Sequence, residues 1–204
     1  MKEFGLDQLN QASEILRNGG LIAFPTETVF GLGVIFDNKE SYDRLIQVKR
    51  RPPEKPFTLM CASRGDIEKY AYVDRASKKL INAFVPGEFT IILKAKENLP
   101  SWCVSSEGMV GIRVPNDKNI QKLISLVGKP LLVPSANKSG EPPLTKDKDV
   151  LNTFKEEIDG IILGESVSNT PSTIVMIKDE DVNIIRLGKI SKEDIEKVVK
   201  EQTI

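Results

Sequence analysis

Short apolar segments that stop at proline or glycine alternate along the 204-residue chain with stretches of helical periodicity. Apolar residues recur at helical spacing within 6–16, 39–49 and 120–127, whereas 21–24 and 131–133 are short, uninterrupted apolar runs that end at proline. Strands that alternate with helices are typical of an α/β fold with a mixed sheet. We therefore predict that residues 1–204 form a single α/β domain.

The composition excludes several classes of function. The chain has no histidine, which removes Ser-His-Asp and Cys-His triads and histidine metal sites. Its two cysteines, Cys61 and Cys103, form no Cys-x-x-Cys pair, so a zinc site is not expected. The 29 basic residues balance 29 acidic ones, which weakens the case for bulk binding to nucleic acid or membrane. Without a signal peptide core or a long apolar run, we expect a soluble, cytoplasmic protein.

The segment that follows the apolar run 21–24 places two hydroxyls and a carboxylate after Pro25. Thr26 and Thr28 can donate and accept hydrogen bonds to a small polar ligand, or they can simply form a turn. The pattern does not fit the GxGxxG dinucleotide fingerprint, because Phe36 stands where its third glycine should be.

Three consecutive cations, Lys49 to Arg51, enter a proline-rich loop at the end of a predicted helix. They either face the helix dipole or hold a polyphosphate, for which arginine offers a planar fork and lysine a mobile charge. The chain has no GxxxxGK[ST] sequence, so a nucleotide site here would not be a P-loop.

Two further groups of polar residues follow or interrupt apolar strands. Ser135 and Asn137 come just after the run 131–133, where ligands bind in open α/β sheets, although such residues are also common in turns. Arg113 and Arg186 lie within apolar segments, and each needs an anionic partner from the protein or from a ligand.

Taken in order, seven segments resemble the YrdC/Sua5/YciO family over about residues 19–188, most closely its short, single-domain threonylcarbamoyl-AMP synthases. The segments are PTETVFGLG, KRRP, PGEFT, GIRVP, PSANKSG, PSTIV and IIRLG. The resemblance implies a twisted mixed sheet with flanking helices and a large concave groove. It also implies a nucleotidyltransferase that converts L-threonine, bicarbonate or CO2, and ATP into L-threonylcarbamoyl-AMP and pyrophosphate.

The resemblance also assigns residues and partners. The family's Lys-x-Arg and Ser-x-Asn signature falls on Lys49, Arg51, Ser135 and Asn137, which it implies are the catalytic and ATP-binding set, together with Arg186 for ATP. Thr26, Arg113 and Ser172 match threonine-binding positions, and Thr90 matches a position in the groove. Mg2+ is expected with ATP rather than on protein ligands. The product would pass to the transferase complex that modifies adenosine 37 of tRNAs reading ANN codons.

Other features leave alternatives open. Phe30 stands where the family often has tyrosine, and Glu88 replaces the second proline of its PGPxT pattern. The segment 55–61, together with PGEFT, looks more similar to YciO-type paralogues, which predicts a weaker activity or a different carbamoyl acceptor. A second alternative is an RNA-binding module without chemistry, whose groove would be basic from Lys49, Arg50, Arg51, Lys55 and Lys138.

Overall fold

The computed structural model describes residues 1–51, 56–178 and 181–200. These residues form ten strands and seven α-helices. In chain order they are β1 Lys2–Phe4, α1 Leu9–Arg17, β2 Ile22–Phe24, β3 Gly31–Ile35, α2 Lys39–Lys49, β4 Leu59–Met60, α3 Ile67–Tyr70, α4 Arg75–Phe84, β5 Phe89–Lys94, β6 Met109–Arg113, α5 Lys118–Val127, β7 Leu131–Leu132, α6 Asp147–Phe154, β8 Gly160–Ile162, β9 Thr173–Lys178, β10 Asp181–Arg186 and α7 Lys192–Lys200.

All ten strands join one mixed, twisted sheet in the order β1-β8-β2-β3-β7-β4-β6-β5-β9-β10. Four of the strand pairs are parallel, namely β1 with β8, β2 with β8, β4 with β6, and β5 with β9. The remaining pairs are antiparallel. This arrangement confirms the predicted α/β fold with a mixed sheet.

Hydrophobic cores cover both faces of the sheet, since successive side chains of a strand point to opposite faces. In β2, Ile22 and Phe24 pack with α1 and α5, whereas Ala23 belongs to the larger core on the other face. In β7, Leu131 packs in the core with α1 and α5, and Leu132 belongs to the larger core. Burial on both faces explains why these strands appear in the sequence as continuous apolar runs rather than as alternating patterns.

The helices begin and end at residues whose chemistry stops them. The Asn38 side chain accepts the Ser41 backbone N–H at 3.0 Å and caps α2. Asp117 caps α5, and Gly128 ends it in a left-handed conformation with φ of 78°. Arg50 ends α2 in the same region, with φ of 49°, although it carries a side chain. That reversal turns the chain sharply just before Arg51.

Two differences from the sequence-based expectation lie at the N-terminus. The first helix begins at Leu9, because residues 6–8 form a single 3-10 turn before it. Strand β1 was not predicted, since only Phe4 of its three residues is buried and the alternation is too short to detect. It exists because the edge of β8 offers a parallel partner, with Lys2 paired to Gly160. Within the part of the chain that the structure describes, no helix is both long enough and apolar enough to cross a membrane.

Candidate functional site

The two polar segments that follow strands β2 and β7 lie side by side. Gly31 and Ser135 form an antiparallel bridge, and the Ala136 N–H donates to the Phe30 carbonyl at 2.6 Å. Pairing of β3 with β7 brings them together, although they are separated by about a hundred positions in the sequence. The sheet therefore gathers the hydroxyl-rich turn 25–30 and the loop 134–140 at one end.

Lys49 lies beneath this junction, at the last turn of α2, with only 2% of its surface exposed. Its ammonium donates to the Ser135 carbonyl at 2.6 Å, to the Asn137 carbonyl at 2.6 Å and to Asn137 Oδ1 at 2.9 Å. An ammonium has three N–H donors, and all of them are used here. In this arrangement Lys49 fixes the shape of the loop instead of presenting a free donor to a ligand.

Burial lowers the pKa of Lys49 to about 8, and the positive charges of Arg51 and Lys138 add to this effect. The lysine nevertheless carries its charge at neutral pH. Because its ammonium is surrounded by loop oxygens, its charge acts on a ligand only through the loop.

Asn137 is the centre of the loop's hydrogen bonds. Its Oδ1 accepts from Lys49 and from Ser135 Oγ, the latter at 2.6 Å. Its Nδ2 donates to the carbonyls of Lys138 and Glu141. Asn137 is therefore fully engaged within the loop, whereas Ser135 also lines a cavity.

The cavity beside this loop has a volume of about 200 Å³. Arginine, hydroxyl and apolar side chains form its walls, and among the described residues no carboxylate lines it. The polar lining residues are Thr28, Arg51, Thr58, Thr90, Arg113, Ser135, Ser172 and Arg186. Three guanidinium groups around one small cavity make it an anion site.

Arg51 enters this cavity directly after the left-handed turn at Arg50. Its guanidinium stacks on the Phe57 ring at 5.0 Å and donates to the Pro56 carbonyl at 3.3 Å. Burial lowers the pKa of Arg51, although an arginine remains charged at physiological pH. The stacked, planar group presents its edge to a ligand with little loss of side-chain entropy.

Arg113 ends strand β6 on another wall of the cavity and is 8% exposed. Its NH2 atom lies 2.9 Å from Oε1 of Glu27, which also accepts the Asn116 backbone N–H at 2.9 Å. The geometry of the Arg113–Glu27 contact is that of an ion pair, because Nε and NH2 of Arg113 make no hydrogen bond. Buried donors without acceptors are costly, so this guanidinium is suited to receive a ligand oxygen.

Thr90, Ser172 and Arg186 form the third wall. The hydroxyls of Thr90 and Ser172 are 2.8 Å apart and buried. Arg186 donates from Nε and NH2 to the Ser172 carbonyl, at 3.1 and 2.8 Å. Burial is the main cause that lowers the pKa of Arg186, and the positive charge of Arg113 lowers it further. The two cations therefore interact electrostatically. An anion between them would relieve that repulsion.

Thr26 does not line the cavity. Its hydroxyl donates to the Val29 carbonyl at 2.7 Å and lies 2.9 Å from the Thr28 hydroxyl, so it stabilises the turn. Thr28 lines the cavity instead. The sequence had marked both hydroxyls, and only the turn's backbone decides which of them faces a ligand. A threonine-binding role for Thr26 remains a prediction.

Glu27 is the functional residue that the sequence analysis did not assign. The sequence showed Glu27 within the segment PTET. Its pairing with Arg113 joins residues 86 positions apart, so it could be recognised only in the folded structure. Phe57 and Thr58 were likewise unassigned, because their segment appeared in the sequence as an ordinary strand.

The basic groove expected for RNA binding is only partly present. Lys49 and Lys138 are buried, and the Lys138 ammonium donates to the Val48 carbonyl, pairs with Glu157 and lies over the Phe154 ring. Arg50 is exposed outside the cavity, and Lys55 lies outside the described residues. The cations that do face the cavity are arginines.

A larger and more open groove of about 830 Å³ lies between β10 and α7. Apart from Arg186, it contains none of the residues that the sequence marked for chemistry. We therefore take the smaller cavity, which residues from all seven motif segments line, as the candidate functional site.

Comparison with known proteins agrees with the arrangement of these segments. The Sua5/YciO/YrdC family, described as "Telomere recombination", matches residues 14–188. The chain belongs to this family. The match covers all the residues that line the cavity, which run from Thr28 to Arg186.

Relatives within the Sua5/YciO/YrdC family carry two different names. A protein of Methanocaldococcus jannaschii named "Putative threonylcarbamoyl-AMP synthase" is 38% identical over 181 residues, which cover 87% of this chain and 83% of that one. The protein YciO of Escherichia coli is 29% identical over 182 residues, 88% of each chain. Sequence similarity therefore places the chain near both the synthases and YciO.

Solved structures of the family superpose closely. P. abyssi Sua5, solved in complex with L-threonine, matches with a TM-score of 0.91 and 31% identity over 98% of this chain. This chain spans 61% of the length of that one. E. coli YciO matches with a TM-score of 0.88 and 26% identity over 95% of this chain and 98% of its own. The twisted mixed sheet expected from the resemblance is thereby confirmed.

Proposed function

We propose that this protein is an L-threonylcarbamoyladenylate synthase, which joins L-threonine, bicarbonate or CO2, and ATP and releases pyrophosphate. The observation that carries the proposal is the convergence of Arg51, Arg113 and Arg186 on one cavity without a lining carboxylate among the described residues. The substrates of this reaction bring a carboxylate and a triphosphate, so the cavity complements both in charge. Relatives named as synthases, and a threonine-bound neighbour, support it.

The chemistry needs positioning and charge stabilisation more than a proton shuttle. The amine of threonine adds to CO2 and loses a proton to give a carbamate. A carbamate oxygen then attacks the α-phosphorus of ATP, and the bond to pyrophosphate breaks. Cations and hydroxyls that hold the reactants in contact, and that neutralise the leaving group, can account for acceleration without histidine.

We assign the walls of the cavity to the two ends of this reaction. Arg113, Arg186 and the paired hydroxyls of Thr90 and Ser172 suit the carboxylate and hydroxyl of threonine. Arg51 and Ser135, the latter in the loop that Lys49 fixes, suit the phosphates of ATP. Arg186 lines the same cavity as Arg113, and we assign it to both substrates.

Mg2+ enters this proposal as part of the MgATP substrate. The described residues contain no group of three or more acidic or thiol side chains placed to hold a metal ion. The donor set of the cavity, which is guanidinium and hydroxyl, fits phosphate oxygens and not a cation.

The proposed product then serves the modification of adenosine 37 in tRNA, and the proposed compartment is the cytoplasm, where tRNA and ATP are both present.

The experiment is a pyrophosphate-release assay with ATP, Mg2+ and bicarbonate, with and without L-threonine. We expect release only when threonine is present, and L-threonylcarbamoyl-AMP by mass spectrometry. Arg51→Ala should reduce turnover, whereas Arg75→Ala, which removes an exposed arginine at the start of α4, should not. Threonine-independent release, or equal rates with the two variants, would contradict the proposal.

A second candidate rests on the likeness to YciO over nearly the whole of both chains. In that case the same cavity binds another amine, or the protein catalyses the synthase reaction only weakly. Replacing threonine by serine, glycine or other amino acids in the same assay distinguishes the two, because the synthase should prefer threonine.

The third candidate, RNA binding without chemistry, has less support from the cavity, since Lys49 and Lys138 are buried and internally bonded. Tight RNA binding that weakens steeply with salt, without any nucleotide turnover, would favour it.

A further inference from the structure

Arg113, which lines the cavity, contacts a carboxylate, and that carboxylate belongs to Glu27. Glu27 lies in the turn between β2 and β3, behind the cavity wall, and its own side chain is 13% exposed. The contact joins the turn 25–30 to the end of β6. Neither the reaction proposed above nor the resemblance assigns a role to this residue.

The charge of Glu27 compensates a cluster of like charges. Arg113 and Arg186 both line this small cavity, and like charges held close together repel each other. Without a counter-charge, the Arg113 side chain would be driven away from Arg186 or out of the cavity. Glu27 offsets this repulsion, because its carboxylate lies 2.9 Å from Arg113 NH2, so the guanidinium can remain in the cavity when no substrate is bound.

Glu27 is itself held in place. Its Oε1 accepts the Asn116 backbone N–H, three residues beyond Arg113 on the same chain segment. The carboxylate therefore bridges the guanidinium and the backbone that carries it. Arg113 Nε is buried without a hydrogen-bond acceptor, so the pairing through NH2 fixes the group but leaves a donor for a ligand oxygen.

We infer that Glu27 is a positioning residue, which holds the Arg113 guanidinium in the cavity so that its free donor can bind the carboxylate of the amino-acid substrate. The inference rests on the proposed function for the identity of that substrate. Glu27 does not touch the substrate in this arrangement and acts through Arg113. It should therefore govern the affinity for the amino acid and leave the affinity for ATP unchanged.

The test compares Glu27→Gln, Glu27→Asp and Glu88→Gln with the unmodified protein. Glutamine keeps an oxygen for the Asn116 N–H but loses the charge. Glu88→Gln is the matched control, since Glu88 is also a largely buried carboxylate with one unbonded oxygen and lines the same hollow as Glu27, but it pairs with Lys189 and not with Arg113. We expect Glu27→Gln to raise KM for threonine about tenfold, with kcat and KM for ATP within about twofold.

Glu27→Asp, which restores the charge, should recover part of the affinity, and Glu88→Gln should resemble the unmodified protein. In a background of Arg113→Ala, Glu27→Gln should have no further effect on KM, because the residue through which it acts is gone. A fall in kcat with both KM values unchanged, or an equal effect of Glu88→Gln, would overturn the inference.

A second measurement is independent of turnover. In a protein labelled with 15N-arginine, the Arg113 Nε–H signal, assigned with Arg113→Lys, should be sharp and should broaden or shift in Glu27→Gln but not in Glu88→Gln. An unchanged signal would overturn the positioning role. If the unmodified protein shows no threonine dependence, the proposed function fails, while this signal still decides whether Glu27 positions Arg113.

Discussion

At the scale of single residues, Lys49 and Arg51 have different tasks although they are two positions apart. Lys49 uses its three donors on the loop 135–137, and Arg51 turns its guanidinium into the cavity. The difference arises from Arg50, whose left-handed conformation separates the directions of its two neighbours. Removing either side chain should reduce activity, but only one removal should also reduce stability.

Lys49→Ala should lower the free energy of unfolding by about 2–4 kcal/mol, because it removes three hydrogen bonds to loop oxygens and leaves the Asn137 carbonyl without the Lys49 donor. Urea denaturation measures this directly, and the turnover assay should show a loss in parallel. An active, equally stable Lys49→Ala protein would contradict the role of Lys49 as the anchor of the loop.

Arg51→Ala should instead remove about 2–4 kcal/mol of transition-state stabilisation, as expected for the loss of one electrostatic donor. Its denaturation midpoint should stay closer to that of the unmodified protein than the midpoint of Lys49→Ala does, because Arg51 is only half-buried whereas Lys49 is fully buried. The measurement is kcat/KM for ATP, with Arg75→Ala as the control. A large loss of stability without a change in kcat/KM would refute the assignment.

Lys49 also makes the stability depend on alkaline pH. Its pKa is lowered to about 8 in the folded protein from 10.5, so the unfolded chain binds more protons between these values. The free energy of unfolding should therefore rise with pH in this window through this group. Over the same range the ammonium loses one donor to the loop, so turnover should fall.

The contribution of Lys49 is isolated by comparing the pH slopes of the unmodified protein and Lys49→Met in urea denaturation. The difference between the slopes should be positive from about pH 8 to 10.4. A difference of zero or of negative sign would mean that burial does not lower the pKa of Lys49 in the folded protein.

At the scale of elements, the end of β10 is packed against the segment 171–173 so closely that a side chain at Gly188 has no space. A Cβ there would lie 2.7 Å from the Thr173 nitrogen and would also meet the Pro171 carbonyl oxygen. Both are backbone atoms and cannot move aside like a flexible side chain. This contact sets the position of Ser172, to whose carbonyl Arg186 donates.

Gly188→Ala should therefore displace Ser172 and Arg186 together. We expect a loss of about 1–3 kcal/mol in the free energy of unfolding, as for other overpacked sites, together with weaker binding of threonine. Gly65→Ala is the control, since the nearest atom to its Cβ would be Ser63 Oγ at 3.9 Å. Thermal denaturation and KM for threonine provide the comparison. Equal denaturation midpoints and equal KM values for the two variants would show that the backbone of 171–173 shifts to make room for the added methyl group.

At the scale of the whole molecule, both thiols lie in the larger core and report on global opening. Cys61 and Cys103 are fully buried, and burial raises the pKa of both thiols, that of Cys103 to about 12. A thiolate is the reactive form, so both groups should be inert in the folded protein.

Labelling with a thiol reagent should therefore be negligible in native buffer and should reach both cysteines in urea, at rates that follow global unfolding. Asp7→Cys, which places a thiol on the exposed 3-10 turn, should react at once and serves as the control. Rapid native labelling of either natural cysteine would indicate local opening of the core.

The sequence by itself determined the elements and most of the chemistry of this protein. Apolar runs that end at proline and helices closed by glycine follow from local backbone preferences, and α2 was predicted to the residue. The motif segments were visible because arginines and hydroxyls at strand ends have few structural reasons to be there. Only the tertiary structure decided which polar atoms are left for a ligand. The folded chain sets Lys49 against the loop, directs Thr28 rather than Thr26 at the cavity and joins Glu27 to Arg113. These contacts depend on the pairing of distant strands or on the exact geometry of a turn, and neither can be deduced from the order of residues alone.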